Sequence, residues 1–173
     1  MITHARLGEE AWTGSAEAGR LAPGTDRGDL RAPAAMCEAY DYDKPAAFSR
    51  GMTVRLPGTR LVFVSGTASV GPDGSSLYDG DFPAQAARAF ENARAVLRSA
   101  GADWHDVVKV TVFLRDIGRD YAAFNDVRCR FFREIGLTVF PASTCVEARL
   151  CREELLVEME MLAVKSEQNA EAD

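Results

Sequence analysis

No stretch of this chain holds the roughly 20 consecutive apolar residues that a membrane-spanning helix needs, so a transmembrane protein is not expected. Histidine is scarce, with only His4 and His105. The four cysteines, Cys37, Cys129, Cys145 and Cys151, never stand as a C-x-x-C pair. Zinc centres are built from Cys and His at short fixed spacings, so no metal site is expected, and no organic cofactor is implied either. Positive charge is not in excess: 20 Lys and Arg face 26 Asp and Glu, a formal net charge of −6. An acidic surface repels phosphate backbones, which argues against unaided nucleic-acid binding. Met1 to Leu7 show no apolar core of a secretory leader, and the cysteines read as reduced thiols of a cytoplasmic protein.

What is present suffices for one globular core: 173 residues, 47% of them apolar. Gly14-Ser15, Gly19, Pro23-Gly24-Thr25, Gly28 and Pro33 break any periodic pattern near the start. Residues 1–45 are therefore predicted as a flexible N-terminal arm, 46–166 as the folded domain and 167–173 as a disordered tail.

Regular patterns begin after Phe48. Met52-Thr53-Val54-Arg55-Leu56 and Leu61-Val62-Phe63-Val64 read as strands joined through Pro57-Gly58, a hairpin. Asp81 and Pro83 supply N-terminal helix signals. Ala86, Ala89, Phe90, Ala93, Val96 and Leu97 then recur at helical spacing up to Gly101. Residues 107–114 form a β-branched run, expected to turn Val108, Val110, Val112 and Leu114 to one face and Lys109 and Thr111 to the other. A second helix is predicted over about 120–134 with Tyr121, Phe124, Val127 and Phe131 along one stripe, and strands over 144–150 and 155–164. The order strand, strand, helix, strand, helix, strand, strand suits an α+β sandwich, with two helices covering one face of a sheet of about five strands. The bare face then calls for a partner, so a homo-oligomer is expected.

Four blocks in order resemble the Rid family, also called YjgF or L-PSP. They are Leu61-Val62-Phe63-Val64-Ser65-Gly66, then Lys109-Val110-Thr111-Val112-Phe113-Leu114-Arg115-Asp116 with Phe124-Asn125, then Pro141-Ala142, and last Val157-Glu158-Met159-Glu160. The resemblance implies a chorismate mutase-like fold, a mixed sheet closed into a homotrimeric barrel with small-molecule pockets between subunits. It also implies hydrolysis of enamines and imines, such as 2-aminoacrylate, to 2-oxo acids and ammonia. By the same resemblance Glu158 matches the family's water-positioning glutamate, Asn125 its helix asparagine, and Gly66, with Thr67 beside it, its Ser-Gly corner. Cys145 matches a position whose backbone N–H helps hold the substrate carboxylate. Two positions depart. The arginine that grips this carboxylate in deaminating members is Ser143 here, and Phe48-Ser49-Arg50-Gly51 stands where Pro-Tyr-Ser-Gln is common. With Ser65-Gly66-Thr67-Ala68-Ser69 and the run from Cys151 to Glu158, this gives the chain some likeness to chorismatases, which are longer.

Glu158 stands amid Leu156, Val157 and Met159, where a half-buried carboxyl should have a raised pKa suited to proton transfer or water orientation. Glu160 reads as a solvated neighbour. Serine cannot replace a bidentate, permanently charged guanidinium, so Arg50 and Arg149 are candidates to supply the missing charge. With no base near it in sequence, Cys145 reads as a packed thiol. The expected set is Glu158 for chemistry and Phe48, Arg50, Gly66, Thr67, Asn125, Ser143, Cys145 and Arg149 for binding. The expected reaction is hydrolysis or tautomerisation of an imine or enamine. Enol-ether hydrolysis of the chorismatase type and non-catalytic small-molecule binding are the alternatives.

Overall fold

The alternation on the last strand organises the whole structure, a computed structural model that describes residues 26–167. The elements are β1 (Asp26–Leu30), β2 (Gly51–Leu56), β3 (Thr59–Ala68), α1 (Phe82–Ser99), β4 (Val107–Leu114), α2 (Ile117–Glu134), β5 (Ala142–Glu147) and β6 (Val157–Ser166). They form one six-stranded sheet in the order β1-β2-β3-β6-β4-β5. Every neighbouring pair is antiparallel except β4 and β5, which run parallel because α2 carries the chain back between them.

Along β6, Val157, Met159, Met161 and Ala163 are buried under the helices, while Glu158, Glu160, Leu162 and Val164 face the other way. Val62 and Val64 on β3 and Val110, Val112 and Leu114 on β4 complete the buried face. Both helices lie on it. Asp81 caps α1 by accepting the Ala84 N–H at 3.0 Å, and Asp116 caps α2 by accepting the Arg119 N–H at 2.9 Å. That second cap explains why α2 begins at Ile117 rather than near residue 120. The Phe90 ring sits at the centre of the helix–sheet core, with centroids 4.9–5.9 Å from those of Trp104, Phe124, Phe131 and Phe132.

Three expectations are corrected. Val108 is not on the inner face: it is 45% exposed, because a bulge pairs Val107 with Ala163 and Lys109 with Leu162 and gives Val107 the inward position. The predicted arm is part of the fold from Asp26 onward, since β1 pairs with the edge of β2 and Leu30, Met36 and Ala39 are buried. Residues 1–25 lie outside the described residues. The fifth strand ends at Glu147, so Arg149 lies beyond it and strand alternation no longer sets its direction. At the other end, Glu167 pairs with Arg60 and, at 3.2 Å, with Arg55, while residues 168–173 are outside the described residues.

Removing the central ring tests this core. Phe90→Ala is expected to lower unfolding free energy by about 3–5 kcal/mol in urea titration. A loss below about 1 kcal/mol would mean that the aromatic cluster is not the centre of packing.

Candidate functional site

Glu158 owes its position to a defect in the ladder. Between the pairs Val64–Met161 and Thr67–Met159, Ser65 and Gly66 of β3 stand opposite Glu160 alone, a β-bulge. The bulge is held from outside: Ser65 Oγ donates to the Ser49 carbonyl at 2.8 Å, and the Ser65 N–H donates to the Arg50 carbonyl at 3.0 Å. The Glu158 carboxyl lies on the Gly66 backbone. A Cβ there would overlap Glu158 Oε1 and stand 3.0 Å from Cδ, so only glycine leaves room for the carboxyl in this place.

Two buried amides on α1 fix the strand ends that meet at this point. Asn92 Nδ2 donates to the carbonyls of Ala68 and Val70 at 2.9 and 2.8 Å. Gln85 Nε2 donates to the Glu154 carbonyl at 2.8 Å, and its Oε1 accepts the Leu156 N–H at 2.9 Å. Burial raises the pKa of Glu158, and the nearby Glu160 carboxylate raises it further. Burial and Glu160 alone shift it, with no hydrogen bond to the Glu158 carboxyl among the described residues.

A second cluster forms beneath α2. Asn125 and Arg128 share a face at i, i+3 spacing, and Arg128 Nη2 donates to Asn125 Oδ1. Arg128 Nη1 also stands 3.4 Å from Ser143 Oγ on β5, and the guanidinium lies 5.3 Å from the centre of the Phe124 ring. Burial raises the pKa of the Cys145 thiol, against a weaker opposing pull from Arg128, which disfavours the nucleophilic thiolate. Beside the cluster opens a cavity of about 520 Å³, with walls that include Val110, Phe132, Leu137 and Phe140. Sequence reasoning missed Arg128. Its helical spacing from Asn125 was the available signal.

The two clusters do not meet within one chain. Glu158 pairs through Phe113 with Val146, and Ser143 lies three residues further along β5. At ordinary sheet spacings their Cα atoms are about 14 Å apart, and their side chains leave opposite faces.

The other expected binding residues are placed elsewhere. Arg50 is 3% exposed, and its Nε and Nη2 donate to the Cys37 carbonyl at 2.9 and 2.7 Å. Nη2 also donates to the Tyr42 hydroxyl, and the Phe48 ring lies 5.6 Å away. Arg50 ties the loop before β2 together and is not beside Ser143. Thr67 is 1% exposed and turns inward, its hydroxyl donating to the Ser65 carbonyl at 2.7 Å. Arg149 is exposed beyond the end of β5.

Residues 42–165 match the family model described as Endoribonuclease L-PSP. The chain belongs to the endoribonuclease L-PSP family. Within it, the chain is 38% identical over 105 residues to a RutC family protein of Pyrococcus abyssi, covering 61% of this chain and 79% of that one. It is 36% identical over 105 residues to the 2-iminobutanoate/2-iminopropanoate deaminase of Salmonella typhimurium, covering 61% and 80%. Among solved structures it resembles Escherichia coli TdcF with bound serine, with a TM-score of 0.66, 28% identity, and coverage of 80% of this chain and 99% of that one. The mixed sheet with two helices on one face is thus the L-PSP fold.

The raised Glu158 pKa has a consequence for stability. The folded chain binds this proton more tightly than the unfolded chain, so ionising Glu158 costs stability as pH rises from the ordinary glutamate range through the raised folded value. Below that range, at about pH 3.5, both states are protonated and the cost vanishes. Glu158→Gln should therefore melt higher than wild type at pH 8 and at the same temperature near pH 3.5. A Glu158→Gln chain that melts lower at pH 8 would contradict the assigned environment.

Proposed function

We propose that this L-PSP protein hydrolyses small 2-imino acids, and their enamine tautomers, to 2-oxo acids and ammonia. Glu158 handles water in the reaction. The observation that carries the reading is a carboxyl with a raised pKa, held against Gly66 and without a competing hydrogen-bond partner among the described residues. Relatives named 2-iminobutanoate/2-iminopropanoate deaminase, at 36% and 34% identity, support the reaction class. TdcF, solved with bound serine, supports a ligand the size of an amino acid.

In this reading Glu158 removes a proton from water as the oxygen attacks the imine carbon, forming a carbinolamine. With the imine entering protonated, that proton passes from Glu158 to the carbinolamine nitrogen, the C–N bond breaks, ammonia leaves, and Glu158 takes the hydroxyl proton as the carbonyl forms. A carboxyl whose pKa burial has raised serves both halves of this exchange. Cys145 contributes through its backbone at the sheet edge and not through its thiol.

The pocket is completed by a second copy. Phe63, Val146 and Val164 leave the uncovered sheet face 43%, 38% and 37% exposed, an apolar surface that three copies would bury as a barrel. A trimer would also let the Glu158 cluster of one chain face the Ser143 cluster of its neighbour. Sedimentation should then give three times the 18.8 kDa chain mass, and a monomer at micromolar concentration would contradict this assembly.

Non-catalytic binding draws on Ser143 in place of the family arginine, and it predicts binding without turnover. The deciding experiment generates 2-iminobutanoate in situ with an amino-acid oxidase and follows ammonia release above the spontaneous rate. Glu158→Gln should lower the protein-dependent rate at least roughly 100-fold. Gly66→Ala should do the same while keeping its melting temperature, because a flexible carboxyl end is what must move. Full activity in Glu158→Gln would sink the hydrolase reading.

A further inference from the structure

The guanidinium beside Ser143 belongs to Arg128, and it has no carboxylate partner among the described residues. Its contacts are with neutral groups: the Asn125 amide oxygen, the Ser143 hydroxyl at a long 3.4 Å, and the Phe124 ring. A permanently charged fork held this way keeps donors for an incoming anion, and its planar geometry fits a carboxylate in bidentate fashion. Asn125, one helical turn back, and the ring beneath it limit the fork's freedom, so little order remains to be imposed on binding.

We propose that Arg128 is the carboxylate-binding residue of this chain, and that the adjoining cavity takes the apolar side chain of the same ligand. The short side chain of Ser143 is part of the arrangement. An arginine at 143 would enter the space that the Arg128 fork reaches and set two guanidinium groups side by side. Serine there and arginine on α2 therefore form a matched pair, in which the charge reaches the same spot from the helix instead of the strand.

The cavity indicates the rest of the ligand. Its volume is about 520 Å³, and Val110, Phe132, Leu137, Phe140 and Pro141 give it an apolar wall. A branched or aromatic substituent fits that wall better than the methyl or ethyl group of the smallest imino acids. The ligand class is thus a 2-oxo or 2-imino acid with a bulky apolar side chain. This assignment shares its pocket with the hydrolase reading, but it concerns binding and not the water step.

The test is calorimetric titration with 4-methyl-2-oxopentanoate and, separately, with its amide. Wild type should prefer the acid to the amide by at least about 10-fold, the size expected of one charge-assisted pair. Arg128→Gln should erase the preference, and adding Ser143→Arg to that variant should restore it. Should Arg128→Gln not fold, Arg128→Lys serves, with the preference reduced because the fork is lost. An unchanged acid preference in a folded Arg128 variant overturns the proposal, as does wild type that binds neither compound at millimolar concentration. Ammonia release is measured on the same proteins. Lost acid preference with no turnover in wild type leaves the carboxylate site standing and removes the hydrolase reading. Turnover that depends on Glu158 but not on Arg128 does the reverse.

Discussion

A strand of the sheet has two faces and cannot merge them, and this constraint governs the rest of the molecule. On β6 the residues at odd positions, from Val157 to Ala163, are held in the core by two helices. Glu158 and Glu160 are thereby driven to the uncovered side, where Glu158 meets the one place in β3 without a side chain, Gly66. The same alternation on β5 sends Ser143 and Cys145 towards the helices, because Ser143 pairs with the buried Val110 and Cys145 with the buried Val112. Glu158 and Ser143, with Arg128 beside it, thus lie on opposite sides of a sheet that one small ligand cannot straddle. In the proposed function the fold supplies two halves of a site, which a second chain would join.

Each half is rigid for reasons traceable to particular contacts. The Glu158 half depends on the β3 bulge, which is anchored by Ser49 and Ser65, and on the buried amides of Gln85 and Asn92 that hold the strand ends. Buried amides with satisfied donors define geometry more sharply than apolar packing does, because any shift leaves a polar group unpaired. The Arg128 half depends on one helical turn, an aromatic ring and a truncated strand residue. Arg50, for all its charge, is spent on the Cys37 carbonyl and the loop it stabilises.

Much of this was legible in the residues. Period-two alternation, helical spacing and the Asp81 cap placed both helices and, to within about three residues, the strands from β2 onward, and the spacing of Leu61 to Gly66, Pro141-Ala142 and Val157 to Glu160 pointed to the family. What escaped were features that arise only across elements. The bulge that exposes Val108 is a mismatch between β4 and β6, visible in neither strand alone. β1 lacks an apolar alternation of its own and exists because β2 offers an unpaired edge. Helical spacing puts Arg128 beside Asn125, but its approach to Ser143 depends on how α2 lies over β5, which the helix alone does not show. Conversely, Arg50 looked suited to replace a missing charge because its position matches the rim of the family's pocket, and Arg149 because a strand reaching residue 150 would have put it on the face of Ser143; the strand stops at Glu147.

Mixed assemblies test most directly the claim that the working site is divided between chains. Chains carrying Glu158→Gln and chains carrying Arg128→Gln, co-expressed with different tags and purified as mixed oligomers, are each defective in a different half. The account predicts that imine hydrolysis reappears in the mixed trimers at roughly a third of the wild-type site activity, because one interface in three brings two intact halves face to face. A mixture no more active than its parents, alongside active wild-type protein, would contradict a site shared between subunits.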